Sequence, residues 1–177
     1  MQSKTDIFTA LKGFLSFDDA DVSNLQRLAP LFEAKGGEIT DRFYEKLAAT
    51  PDTAKIIEGR VESLKRTHAR WMSELFTGDY GDGYFDNRWR IGMTHVRVGV
   101  PPHYVEAVVS FLRTKSELVV QAAMGDAGPA HHISLVKLLD LDLMIINLAY
   151  SAERIERLST FTGMSKKLIE RCIEKGT

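Results

Sequence analysis

Cysteine is almost missing from this chain. Cys172 is the only one in 177 residues, so no disulfide can staple the fold internally, and the composition predicts a reducing, cytoplasmic setting. An excess of one charge is missing too. Lys and Arg number 23 against 24 Asp and Glu, a formal net charge of −1, so no long-range field draws in nucleic acid or anionic lipid. An uninterrupted apolar run is also missing. Residues 133–150 come closest, but Lys137, Asp140 and Asp142 stand inside them, and each is costly at bilayer depth. A helix that is apolar nearly all round is more simply buried on two sides. The start, Met1-Gln2-Ser3-Lys4-Thr5-Asp6, leads into no apolar stretch that a signal peptide would need. Strand alternation, internal repeats and a glycine-rich nucleotide-binding motif are absent as well.

What is present is helical periodicity, in a chain that is 44% hydrophobic and 27% charged and long enough for one real core. Ile7, Leu11, Phe14 and Leu15 mark a short leading helix. Asp18 and Asp19 can cap the next, which carries Val22, Leu25, Leu28, Leu31 and Phe32. Pro30 predicts a kink in it and Gly36-Gly37 predict its end. Ile39, Phe43 and Leu47 begin a further stripe, and Thr50-Pro51 opens a short helix over 51–57. Residues 60–76 are strongly amphipathic, with Val61, Leu64, His68, Trp71, Met72 and Leu75 on one face. A turn-rich loop, Thr77 to Gly83, precedes a helix over 84–97 that Gly99 and Pro101 stop. Long helices from Pro101-Pro102 to about Met124 and from about Ala130 to Leu158 follow a turn at Gly125–Pro129. Thr160 to Gly163 then interrupt the pattern before a short amphipathic stretch, Met164 to Lys175. The expectation is an all-α chain of short connections.

Of five histidines, His68 and His95 stand out. They flank one loop, about 8 residues before it and about 11 after it, so at ~1.5 Å per residue they reach similar heights on two helices expected to run antiparallel. That arrangement permits a planar cofactor between them. A bare zinc site is not indicated, because no Cys or His-x-x-x-His spacing supplies further ligands. His103, His131 and His132 lie at helix starts and read as structural or solvated.

The segment Arg88-Trp89-Arg90-Ile91-Gly92-Met93-Thr94-His95-Val96-Arg97-Val98-Gly99-Val100-Pro101-Pro102-His103-Tyr104 closely resembles the proximal-histidine region of the globin domains of globin-coupled sensors. Leu64-Lys65-Arg66-Thr67-His68-Ala69-Arg70-Trp71 and the pair Phe43-Tyr44 extend the resemblance over about residues 5–158. It implies a globin-like helical sandwich with an extra N-terminal helix. It also implies haem b (iron protoporphyrin IX) and the binding of O₂, CO or NO as a signal rather than catalysis. His95 would be the proximal iron ligand, its second nitrogen donating to a nearby acceptor. Tyr44 would be the distal hydrogen-bond donor, and Leu64 would stand where vertebrate myoglobins carry histidine. His68, one turn beyond Leu64, either binds the iron as a sixth ligand in the gas-free state or lines the pocket. Phe43, Leu47, Val61, Trp71, Met72, Leu75, Trp89, Val100, Tyr104, Val105 and Val108 would form the haem wall, and Arg97 would pair with a propionate or cap its helix.

The resemblance further implies residues 1–158 as the sensor domain and 159–177 as a linker towards an output domain. The last two long helices carry more apolar surface, from Val105 to Val120 and from Val136 to Leu148, than one globin core can hide, which predicts an intersubunit four-helix bundle, a symmetric homodimer as the resemblance implies. A haem oxidoreductase and a haem-free helical interaction module are the competing functional classes.

Overall fold

Three helices begin on a side-chain cap, and three others carry proline in their first turn. In the computed structural model, which describes residues 3–176, Ser3 and Asp6 close a capping box on α1 (Lys4–Phe14), and Asp18 and Asp21 close another on α2 (Asp19–Ala49). Pro51 opens α3 (Pro51–Ile57), and α4 (Val61–Glu74) follows. α5 (Asp82–Val98) stops at Gly99, whose φ of 79° is the left-handed conformation glycine adopts without strain. α6 (Pro102–Met124) and a 3₁₀ turn (Gly125–Ala127) lead into α7 (Gly128–Thr162), and α8 (Lys166–Lys175) starts on Ser165, whose hydroxyl accepts from the Leu168 amide. No strand occurs among the described residues.

α7 is the axis of the molecule. It packs on α5, α6 and α2, while α4 and α3 pack on α2, and α1 lies against α5. Leu138, Leu141, Ile145 and Ala149 of α7 are wholly inaccessible. Burying each of the three larger ones contributes about 1.5–3 kcal/mol. The three charges that argued against a membrane span are each paired inside the fold. Lys137 meets Asp21 at 2.8 Å, Asp140 meets Arg113, and Asp142 meets Arg88 at 2.9 Å. No helix among the described residues is long and apolar enough to cross a membrane.

Three expectations change. α2 does not end at Gly36-Gly37 but runs on through them. Gly36 is there for proximity: a Cβ on it would lie 2.6 Å from Met72 Sδ, so the glycine lets α4 close onto α2. α4 rests mainly on α2 and α5 on α7, and Arg88 of α5 reaches back to Glu74 of α4. α7 continues to Thr162, through the residues expected to interrupt it, and ends at Gly163. Lastly, most of the apolar surface assigned to a dimer seam is used within the chain. Val105, Val109, Leu112, Val120, Leu139 and Ile146 are all buried, and Leu118 (69% exposed) is the large exception in those two stretches.

Candidate functional site

α2 and α4 together build an aromatic and apolar group around His68. Phe43 and Tyr44 come from α2 and His68 and Trp71 from α4, because residues 3 or 4 apart on one helix share a face. The His68 ring lies 5.0 Å from Phe43, 5.1 Å from Trp71 and 6.1 Å, edge-on, from Tyr44. Leu47, Val61, Leu64, Val108 and Phe111 pack around Phe43, Tyr44 and Ile57. Leu47, Val61, Leu64, Trp71 and Val108 keep partial exposure.

His68 makes one hydrogen bond, through Nδ1 to Thr40 Oγ1 at 3.0 Å, and its Nε2 is buried with no partner. Burial pushes its pKa down to about 4, so the ring is neutral near pH 7. Burial likewise raises the Tyr44 hydroxyl to about 12 and keeps it protonated.

His95 lies in the last turn of α5, beside a second apolar group. There Ile91, Val96 and Val100 pack with Val105, Ile146 and Tyr150, and the Tyr150 hydroxyl donates to the Val100 carbonyl at 2.6 Å. Burial lowers the His95 pKa. Its Nδ1 is buried and unpartnered, so the acceptor expected for that nitrogen is not met. No hydrogen bond or ring contact among the described residues joins His95 to the His68 group.

The remaining expected wall residues divide. Met72 and Leu75 belong to the main core, where Met72 touches α2. Trp89 faces the α1 side, stacked on Phe85 at 5.9 Å and under Lys4 Nζ at 4.9 Å. Tyr104 bridges α6 to α3, its hydroxyl donating to Asp52 at 3.2 Å. Arg97 is exposed. His103 is exposed against Tyr104, and His132 Nε2 donates to the Arg113 carbonyl. His131 also has a buried, unpartnered Nε2, but it sits in the first turn of α7, with Nδ1 bound to the Ala127 carbonyl.

A buried polar network was not foreseen. Asp142 of α7 accepts from Trp71 Nε1 at 2.9 Å, from Arg88 Nε at 2.9 Å and from the Tyr84 hydroxyl. Arg88, wholly inaccessible, also reaches Glu74 at 2.6 Å. Burial pushes the Asp142 pKa up, and Arg88 foremost opposes it. The network therefore ties the His68 helix, the His95 helix and α7 at one point. An aspartate in an otherwise apolar helix signals that a partner must exist, but not which one.

A family model described as Protoglobin matches residues 5–156. The chain belongs to the Protoglobin family. This protoglobin is similar, at 32% identity and a TM-score of 0.77, to the globin domain of a Geobacter sulfurreducens globin-coupled sensor, over 80% of this chain and 96% of that one. The fold is thus the expected all-α globin-like sandwich, preceded by α1. It is also 27% identical over 159 residues to the heme-based aerotactic transducer HemAT of Halobacterium salinarum. That match covers 82% of this chain and 32% of the relative, so the protoglobin spans about a third of that relative's length. Both relatives are named for signalling.

An iron porphyrin needs apolar walls and an imidazole with a free nitrogen. The apolar groups supply the walls, His68 offers a buried Nε2 that nothing else engages, and His95 offers a second neutral imidazole with no hydrogen bond on either ring nitrogen among the described residues, so these residues fit the group.

Proposed function

We propose that this protoglobin is a haem-based gas-sensing domain in which His95 and His68 are the two protein ligands of haem b in the gas-free state. The observation that carries the reading is the pair of neutral imidazoles, with His68 Nε2 buried among aromatic rings and engaged by nothing. Bound haem supplies an iron at which O₂, CO or NO can ligate. His95 anchors it from the end of α5. His68 would be the second ligand from α4, and its displacement by a gas would change the contacts of α4. Tyr44 supplies a protonated hydroxyl on the His68 side. Leu64, Val61, Leu47, Phe43, Val108 and Val100 exclude water.

Trp71 carries the movement. Its ring packs on His68 and its Nε1 holds Asp142, so displacement of His68 bears on α7. Residues 1–158 act as the sensor. Residues 159–177, with α8 folded against the end of α7 through buried Ile169, act as the connection to an output domain. A homodimer would use the stripe Ile133, Val136, Met144 and Leu148, which share one face of α7 and are exposed or half-exposed, with Leu118 of α6.

Titrating the apoprotein with haemin tests the reading. One haem per chain, lost in His95→Ala, with reversible CO binding to the ferrous form, is the expected result. An apoprotein that takes up no haem contradicts it.

A further inference from the structure

The one hydrogen bond on the His68 ring goes to a hydroxyl, and a hydroxyl can donate or accept. Thr40, 4% exposed on α2, reaches His68 Nδ1 at 3.0 Å. Phe43 and Trp71 lie about the ring, and Nε2 is buried and unpartnered. Two arrangements satisfy this geometry. If Thr40 donates, Nδ1 accepts and Nε2 carries the proton. If Thr40 accepts, Nδ1 carries the proton and Nε2 holds a lone pair, which is the form a metal binds. His131 shows the contrast. Its Nδ1 faces the Ala127 carbonyl, which only accepts, so that ring has one tautomer.

We propose that Thr40 is the positioning residue for His68, orienting the ring and, by rotation of its hydroxyl, allowing the proton to sit on Nδ1 when Nε2 is needed as a ligand. This rests on the reading that His68 is the second protein ligand. Engagement of Nε2 then uses the tautomer whose proton sits on Nδ1 and is donated to the Thr40 hydroxyl, with no net proton uptake. The Thr40 hydroxyl sets how firmly Nε2 is held ready. A carboxylate in its place would fix the ligating tautomer permanently, and an apolar residue would fix neither.

The test compares haem-loaded wild type, Thr40→Val, Thr40→Ser and His68→Ala. Valine keeps the shape and removes the hydroxyl; serine keeps the hydroxyl and removes the methyl. Thr40→Val should raise the five-coordinate fraction of the ferrous protein and speed CO association about tenfold, the scale of one lost hydrogen bond. Thr40→Ser should match wild type. In the apoprotein, the ¹⁵N shifts of His68 should report a different tautomer ratio in Thr40→Val than in wild type. Equal CO association in Thr40→Val and Thr40→Ser, or unchanged ¹⁵N shifts in Thr40→Val, overturns the role of Thr40. A haem spectrum unmoved by His68→Ala overturns the ligand reading instead and removes the link from Thr40 to coordination. The apoprotein shifts then decide independently whether Thr40 governs the tautomer.

Discussion

Two neutral imidazoles held in apolar surroundings have a cost that depends on pH. The His68 pKa lies at about 4 in the fold, against about 6.5 in a free chain. Between those values the unfolded chain takes up the proton first, so the contribution is fully present above pH 6.5 and is lost as the pH falls towards 4. The limiting slope is about 1.4 kcal/mol per pH unit for one group. Urea unfolding of the apoprotein between pH 6.5 and 4.5 should therefore show a shallower decline in His68→Leu than in wild type, and equal declines would contradict the assignment. At Tyr44, removal of the hydroxyl in Tyr44→Phe should speed O₂ dissociation about tenfold, since a hydrogen bond contributes about 1–1.5 kcal/mol. CO dissociation should change less, and stopped-flow measurement of both gases separates these outcomes. At this scale the placing of His68 beside Phe43 and Tyr44 was legible only through the family resemblance, since spacing alone permits a cofactor between His68 and His95 without requiring one. Thr40 was not, because a threonine in a 31-residue helix has no visible partner until the fold brings up a ring 28 positions away.

Helices meet closely where glycine permits. A Cβ on Gly92 would lie 2.7 Å from Ala149 Cβ and 3.1 Å from the Ile146 backbone, so Gly92→Ala must push α5 off α7 three residues before His95. Overpacking of this kind costs about 1–3 kcal/mol. Denaturant midpoints should fall accordingly and haem affinity should fall with them; an unperturbed midpoint would show that the crossing is looser than described. The Asp142 network is the second element-scale device. Asp142→Ala leaves buried Arg88 with Glu74 as its one remaining carboxylate, and breaking such a pair costs about 3–5 kcal/mol. Thermal unfolding measures that loss. Helix existence was legible almost throughout, from stripes, caps and Pro51. Where the reading of Gly36 as a helix end failed, the cause was tertiary: glycine reads as a stop in sequence, and here it serves close approach to Met72.

At the scale of the whole molecule, the chain buries more of its own apolar surface than its hydropathy suggested. The faces of α6 and α7 expected to form a dimer seam instead hold α2, α5 and each other. That could not be read in advance, since sequence shows how much apolar surface a helix has but not which neighbour covers it. The proposed dimer rests on a narrower stripe. Sedimentation at micromolar concentration should give twice the chain mass, and Leu118→Glu with Ile133→Glu, at positions 69% and 56% exposed, should give the monomer without loss of fold. A wild-type monomer would contradict the proposal. In the proposed gas-free state His95 and His68 both hold the haem. The most direct test is the absorption spectrum of the haem-loaded protein, ferric and ferrous, beside His68→Ala and His95→Ala. The predicted result is a low-spin six-coordinate wild type that becomes five-coordinate in His68→Ala, with haem lost in His95→Ala. A five-coordinate wild type unchanged by His68→Ala, or a His95→Ala variant that keeps its haem, would contradict it.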